Sequence, residues 1–306
     1  FRFWAMSWAA DILSRQFGNQ IRNHPLRQDH MAGQGFRCLY INLDRSLDRR
    51  EQIEAEIIKA GVIAERVPGF DGKRDIGKLP TTYSPTRRAF VGKQLNAAEI
   101  GCVESHRRAL RMLVEAGDAF GVVLEDDVEL LDGFRGAVDA LIAETAGWHI
   151  IRLEWRKRGV LADPQVSIST GHKLFVPKNM TFGAAAFLYS REGARRALKA
   201  LDGGYFQTPD AELGSRAGSA FRILQLDPPV AREKPLESLL GNKPEYVGGS
   251  DRESSDRNRL QVIGNGLYRL RISLRRRGSA KPNAKRLAWE TDQLRKAGGA
   301  GEMAGG

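Results

Sequence analysis

Three adjacent carboxylates, Glu125, Asp126 and Asp127, directly follow a short apolar run at residues 122–124. The β-branched residues of that run predict a buried strand. Acids crowded at the end of a buried strand are costly to keep charged unless a cation or solvent compensates them. Their oxygen atoms suit Mg²⁺ or Mn²⁺, and such an ion keeps positions open for substrate phosphates. The alternative interpretation is a strand followed by a solvated acidic turn.

A second group of reactive side chains lies on a predicted helix. Asn96 and Glu99 have the spacing of a capping box, which marks the start of this helix. Cys102 and His106 are four residues apart, as in a metal-binding pair, but the sequence has no second Cys/His cluster and we expect no zinc site. His106 falls on the apolar face of the helix. It is therefore either a hydrogen-bonded core residue or part of a binding site.

The elements around these groups follow a repeating strand and helix pattern. Residues 37–43 predict a strand, Ser46 caps the next helix, and residues 62–67 predict a second strand, which together form a βαβ unit with a parallel sheet. Ligands of open α/β sheets bind outside the carboxyl ends of the strands, where the three acids would lie. Further strands are predicted at 149–153, 173–176, 183–189 and 221–226, and further helices at 132–144, at 191–201 after a Ser190 cap, and at 210–217. Residues 155–170 are predicted to be irregular.

The composition indicates a soluble protein with a basic C-terminal end. The chain has 306 residues and a formal charge of +11, and it has no run near the roughly 18 apolar residues of a membrane span. Its two cysteines, Cys38 and Cys102, form no disulfide framework, so we expect reduced core residues in a cytosolic protein.

The C-terminal end carries most of the excess charge. Residues 243–306 hold 14 Lys and Arg against seven Asp and Glu. We expect mostly disorder beyond Gly241, in which residues 260–277 and 283–296 can form basic amphipathic helices. Such a tail would contact an anionic membrane surface, or else remain solvated. No recognised module favours specific nucleic-acid binding.

The N-terminal end differs from the rest. The chain begins with Phe1, and residues 1–35 lack the charged region, long apolar region and cleavage site of a signal peptide. Met31 stands just before the first predicted strand, so we expect residues 1–30 to precede the native start. The alternative is a small surface helix.

Four segments together carry a family resemblance. They are YINLDRSLDRR, LNAAEIGCVESHRRAL, GVVLEDDVEL and GAAAFLYSREGARRAL, in this order. In combination they resemble glycosyltransferase family 25, the lipopolysaccharide and collagen-modifying galactosyltransferase type, over about residues 36–235. We therefore divide the chain into an N-terminal extension at 1–35, a family 25 domain at 36–241 and a basic, largely disordered tail at 242–306.

The resemblance implies a fold, a donor and a metal. The fold would be α/β and GT-A-like, a single domain with a mostly parallel mixed sheet flanked by helices and with flexible tails. The donor would be a nucleotide sugar, usually UDP-galactose, and the cofactor a divalent metal, Mn²⁺ or Mg²⁺. By this resemblance Asp127 is the metal ligand, and Glu125 or Asp126 completes the shell or faces the ribose hydroxyls.

The resemblance also assigns residues to the donor and acceptor sides. Arg49 would pair with phosphate oxygens, or else be an exposed cation at a helix start. Asp210 would be the acceptor-side general base, with Glu212 nearby, or else merely the cap of a short helix. The remaining residues placed around the nucleotide are Asn42, Arg45, Glu99, Ser105 and His106.

The expected function is a metal-dependent inverting glycosyltransferase. It would move a hexose from a UDP-sugar to a saccharide or lipid-linked acceptor in lipopolysaccharide or other surface glycan synthesis. Galactose is the hexose that we expect. We expect it in the cytoplasm, or peripheral at the inner face of the cytoplasmic membrane. One alternative is a metal-dependent phosphohydrolase, which usually needs an Asp nucleophile where Glu125 stands. The other is a basic adaptor that binds membrane or nucleic acid through the tail.

Overall fold

A computed structural model describes residues 34–75, 80–90, 94–155, 160–179, 183–218, 221–234 and 259–303. Residues Phe36–Gly306 form one compact unit, apart from residues Phe1–Gly35. The expectations about residues 1–30 lie outside the described residues. No helix among the described residues is long and apolar enough to cross a membrane.

The centre of the fold is an eight-stranded sheet with the order β2-β1-β3-β8-β5-β9-β7-β6. Only β7 and β8 run against the other six strands, as the pairings show. A second sheet of two strands pairs β10 with β4. The main strands are β1 Arg37–Asn42, β2 Ala64–Pro68, β3 Phe120–Glu125, β5 Ile150–Arg152, β6 Leu161–Ser167, β7 Lys173–Pro177, β8 Ala186–Ser190 and β9 Ile223–Asp227, and the small ones are β4 Val128–Leu130 and β10 Ala231–Glu233.

Helices cover both faces of the main sheet because its strands alternate apolar side chains to either side. In β3, Val122 and Leu124 join one core cluster, whereas Val123 joins the other. The first cluster includes side chains of α1, α5 and α8, and the second includes side chains of α4, α6 and α7. The helices are α1 Leu47–Lys59, α2 Gly72–Asp75, α3 Pro85–Ala89, α4 Ala97–Ala116, α5 Phe134–Glu144, α6 Arg191–Asp202, α7 Pro209–Ser215 and α8 Arg259–Met303.

The predicted α/β class, the mostly parallel mixed sheet and the opening βαβ unit are confirmed. The Asn96–Glu99 capping box is present, and the Ser190 side chain accepts a hydrogen bond from the Gly193 amide. Two local predictions are wrong. The Ser46 side chain makes no capping bond, and the stretch predicted to be irregular contains β6, which pairs along β7.

The C-terminal region also differs from the expected disorder. Residues 259–303 form one continuous helix, α8, which passes through Pro282. Ala280, Ala284 and Leu287 on α8 are buried in the first core cluster. Small side chains four residues apart line one side of a helix, so this side packs closely on the protein. The two predicted amphipathic segments are thus parts of one helix that belongs to the folded unit.

Candidate functional site at the carboxyl edge of the sheet

The topology brings polar residues from several strands to one edge. β1, β3 and β5 run in the same direction and end at Asn42, Glu125 and Arg152. β8 runs the other way, so the loop that contains Gly183 enters the sheet at this same edge. The carboxyl edge of such a sheet is the usual place for a ligand. The chain therefore gathers its carboxylates where the sequence predicted them.

Asp126 is held by two partners. One carboxylate oxygen accepts a hydrogen bond from the Asn42 amide at 2.8 Å, and the other accepts one from Arg49 at 3.1 Å. The Arg66 guanidinium in turn donates to the Asn42 side-chain oxygen at 3.2 Å, which orients this amide. Burial raises the pKa of Asp126 against these bonds. Asp126 is thus a structural link between β1, α1 and β3.

Asp127 differs from Asp126 because one of its oxygens has no partner. Its Oδ1 is buried and has no hydrogen-bond donor among the described residues. Its Oδ2 lies 3.6 Å from Arg49, the cation shared with Asp126. Burial, followed by the charges of Glu125 and Glu233, raises the pKa of Asp127 to about 8. A buried carboxylate among other acids is the environment that a bound cation relieves.

Glu125 faces helix α4. Its Oε1 lies 2.9 Å from Nε2 of His106 and 3.6 Å from the Cys102 sulfur. One ligand atom from each of these three residues lies within 4.8 Å of the other two. His106 is buried, and its Nδ1 has no partner within the described part of the chain. His106 is therefore a buried residue of α4 that contacts the first acid of the cluster.

Asp210 closes the site from helix α7. Its carboxylate accepts hydrogen bonds from the Gly183 amide at 3.1 Å and the Thr208 hydroxyl at 2.7 Å. Arg152, fully buried, donates to the Gly183 carbonyl oxygen at 2.8 Å and to the Asp210 carbonyl oxygen at 3.4 Å. Burial, followed by the charges of Glu125 and Asp210, raises the pKa of Cys102 on α4.

Other residues assigned from the sequence also have partners within the protein. Arg45 pairs with Asp71 at 2.6 Å. Glu99 accepts a hydrogen bond from the Asn96 amide in the capping box. The Ser105 hydroxyl donates to the Gly101 carbonyl oxygen at 2.7 Å and accepts from the Phe70 amide at 2.8 Å. Arg49, in contrast to the expected exposed cation, is largely buried and contacts both aspartates.

Some residues of the site were not found from the sequence. Glu233 raises the pKa of Asp127 from β10, and the Lys234 amide donates to the Asp127 carbonyl oxygen at 2.7 Å. Gln225 is fully buried beside Arg152 across the β5–β9 pairing, and its amide has no partner among the described residues. The sequence does contain a signal that could have indicated Arg152 and Gln225, because each is a charged or amide residue within an otherwise apolar strand. No local pattern marks Glu233, because its strand pairs with one more than 100 residues away.

Fold and site together define an α/β protein with a carboxylate cluster at the ligand-binding edge of its sheet. The profile of "Glycosyltransferase family 25 (LPS biosynthesis protein)" matches residues 37–203 of this chain. Because this match covers more than half of the chain, the protein belongs to glycosyltransferase family 25. The matched stretch includes the acid cluster and α4. Asp210, Glu233 and α8 lie beyond it.

Curated relatives include both galactosyltransferases and proteins described as inactive. The chain is 27% identical over 173 residues to procollagen galactosyltransferase 1 of Danio rerio. It is 28% identical over 171 residues to inactive glycosyltransferase 25 family member 3 of Homo sapiens. Each match covers 52% of this chain and 28% of the relative. The chain thus spans little more than a quarter of the length of these relatives.

Proposed function

We propose that this protein is an active, metal-dependent glycosyltransferase that moves a hexose from a nucleotide diphosphate sugar to a saccharide acceptor with inversion. The observation that supports this proposal is the buried Oδ1 of Asp127, which has no hydrogen-bond partner among the described residues and lies near Glu125 at the carboxyl edge of the sheet. The presence of inactive relatives makes the distinction between an active and an inactive chain important.

The residues present fit a divalent metal ion. Asp127 offers a carboxylate oxygen that no described residue contacts as a donor, and Glu125 stands two residues away at the end of β3. Asp126 is less suited as a ligand than Asp127, because each of its oxygens already accepts a hydrogen bond, one from Asn42 and one from Arg49. When bound, the metal would neutralise the charge that develops on the leaving diphosphate. Asp127 and Glu125 would hold it, with oxygen ligands that favour Mn²⁺ or Mg²⁺.

The chain's own residues supply the other functions. Arg49, fixed between Asp126 and Asp127, would favour the diphosphate oxygens by its positive charge. Asp210 would take the proton from the acceptor hydroxyl as its oxygen attacks the anomeric carbon. The bond from that carbon to the diphosphate oxygen breaks, and the nucleoside diphosphate leaves with the bonding electrons. The bonds from Gly183 and Thr208 orient the Asp210 carboxylate for this role.

Galactose from UDP-galactose is the first donor to test, since a relative is named a procollagen galactosyltransferase. A saccharide of lipopolysaccharide or another surface glycan is the first acceptor, following the description of the matching family. A phosphohydrolase is disfavoured, because such an enzyme usually needs an Asp nucleophile at the first acid of the cluster, where Glu125 stands.

A panel of nucleotide sugars, incubated with the full chain and Mn²⁺ or EDTA, tests the proposal. We expect release of nucleoside diphosphate from one donor class with metal only, and a loss of at least about 100-fold in Asp127→Asn. Asp132→Asn is the matched control, because the Asp132 side chain is exposed near the same strand. Turnover of no donor would overturn the proposed activity. Full turnover by Asp127→Asn would overturn the site.

A further inference from the structure

The first half of α8 carries an apolar stripe that faces away from the sheet. Ile263, Leu267, Leu270 and Leu274 are each between 54% and 63% exposed. Their spacings of four, three and four residues place them on one side of the helix. Exposed aliphatic residues are common singly, but a continuous line of four is the signature of a contact surface.

This stripe is not the side by which α8 joins the fold. The buried side includes Ile272, Arg276, Ala280, Ala284 and Leu287. The Arg276 guanidinium donates to the carbonyl oxygens of Gly214, at 3.1 Å, and Asn179, at 2.5 Å. The helix is therefore fixed to the protein on one side and presents the stripe on the other.

Positive charge surrounds the stripe. Residues 259–289 contain nine Lys and Arg and no Asp or Glu. The exposed cations of this stretch are Arg269, Arg271, Arg277, Lys281, Lys285 and Arg286. At helical spacing, Arg271 borders the stripe, while Arg277 and Lys281 continue its line toward the C-terminus.

A further aromatic side chain extends the same region. Phe90, which follows α3, is 64% exposed. Its carbonyl oxygen approaches α8 at Gly264, where a Cβ would come within 2.7 Å of it. Phe90 thus lies beside the beginning of the stripe.

We propose that this surface, formed by the stripe and its flanking cations, docks the protein on an anionic lipid bilayer. A bilayer surface offers hydrocarbon to the four aliphatic side chains and negative headgroups to the cations at the same time. A nucleic acid would satisfy the cations but leave the aliphatic residues without an apolar partner. A second copy of this chain would cover the aliphatic residues but bring the same positive charge against it.

The docking surface adjoins the segment that leads into Asp210. The Tyr268 ring of α8 packs against Phe206 with centroids 5.7 Å apart, and the Gln207 amide donates to the Tyr268 hydroxyl. A protein lying on a bilayer through α8 would therefore hold this segment near the lipid surface. The lipid contact itself does not depend on the proposed transfer reaction, so each can fail without the other.

Vesicle co-sedimentation of the full chain tests the proposal. We expect binding to phosphatidylcholine vesicles that contain phosphatidylglycerol to exceed binding to pure phosphatidylcholine by about tenfold or more, and to weaken at high salt. The variant Leu267→Glu/Leu270→Glu should lose at least about tenfold of this binding, because two charges would enter the apolar layer. Ile58→Glu is the matched control, as Ile58 is an exposed aliphatic residue on α1.

A second variant, Arg271→Gln/Arg277→Gln, tests the charge separately and should weaken only the anionic preference. Equal thermal stability of all variants would show that the fold is intact. The proposal is overturned if the wild-type protein does not bind anionic vesicles, or if the stripe variant binds as well as Ile58→Glu. If the wild-type protein forms dimers and does not bind vesicles, and the stripe variant is monomeric, the partner is a second copy of this chain. Binding of duplex DNA without vesicle binding would identify a nucleic-acid surface instead.

Discussion

His106 on α4 and Glu125 at the end of β3 are joined by a contact of 2.9 Å between Nε2 and Oε1. This contact holds Glu125, the first acid of the cluster, against α4. Both residues lie within the stretch that the family profile matches. The capping box at the start of α4 sets where the helix begins, and therefore which turn faces the strand end. This contact links a local sequence signal to the geometry of the site.

The first prediction concerns this contact. His106→Leu should lower kcat for donor turnover about 10-fold to 100-fold, since residues that orient metal ligands have effects of this size. His106→Gln should recover part of the loss, because its amide can donate to Glu125. Steady-state kinetics on both variants measure the difference. Equal activity of His106→Leu and the wild-type protein would show that the contact does not matter for the reaction.

The second prediction separates the acceptor side from the donor side. Asp210→Asn should lower transfer to the acceptor by about 100-fold or more, since it removes the proposed base. The KM for the donor should change little, because Asp210 is held by Gly183 and Thr208 rather than by the acid cluster. Asp139→Asn, on the surface of α5, is the control. If transfer and donor KM change together, Asp210 is instead a structural residue of the whole site.

The third prediction concerns the close approach of α4 to the loop before α2. A Cβ at Gly101 would lie 2.6 Å from the Phe70 carbonyl oxygen and 2.9 Å from the Gly72 amide. Gly101→Ala should therefore cost about 1–3 kcal/mol in the free energy of unfolding, since backbone atoms must shift. Gly136→Ala, in the open on α5, should be neutral or stabilising by up to about 1 kcal/mol. Urea unfolding of the two variants compares them, and equal midpoints would contradict the close packing.

The fourth prediction is a pH dependence of stability. His149 is buried, and its Nδ1 accepts a hydrogen bond from the Arg222 amide at 2.9 Å. Burial, with the charges of Arg222 and Arg196, lowers the pKa of His149 to about 4. The unfolded chain, with a His pKa of about 6.5, binds the proton more readily between these values. The contribution of His149 to the free energy of unfolding should therefore fall by about 1–2 kcal/mol from pH 7.5 to pH 5, opposite in sign to the contribution of Asp127, whose raised pKa adds stability as the pH falls.

Urea unfolding of the wild-type protein and of His149→Gln at the two pH values isolates this contribution. His149→Gln keeps a hydrogen-bond acceptor but cannot titrate, so on going to pH 5 the wild-type protein should lose about 1–2 kcal/mol relative to the variant. If the two proteins change in stability equally, His149 does not contribute to the pH dependence. The variant is informative at either pH only if it remains folded, which circular dichroism establishes.

The sequence by itself determined the local signals and the class. Alternating apolar residues in β3, the capping box of α4 and the acids after β3 are patterns within a few residues, and each indicated its element correctly. It also placed Asn42, Glu125 and Asp127 at strand ends, because a βαβ unit implies a parallel sheet. Such features depend on near neighbours along the chain.

Only the tertiary structure decided which carboxylate oxygens accept hydrogen bonds from other residues of the protein and which do not. Asp126 and Asp127 are adjacent in sequence, yet Asn42 and Arg49 donate to both oxygens of Asp126, whereas Oδ1 of Asp127 has no partner within the part of the chain that the structure describes. The position of Glu233 also depends on the tertiary structure. The pairing of β10 with β4 brings Glu233 close enough for its charge to raise the pKa of Asp127. The packing of α8 is a further example. Its composition predicted a solvated or membrane-bound tail, and only the structure shows that its small residues Ala280 and Ala284 are buried in the first core cluster. Contacts between residues far apart in the chain depend on the register of strands and the packing of helices, and a single sequence carries no local signal for them.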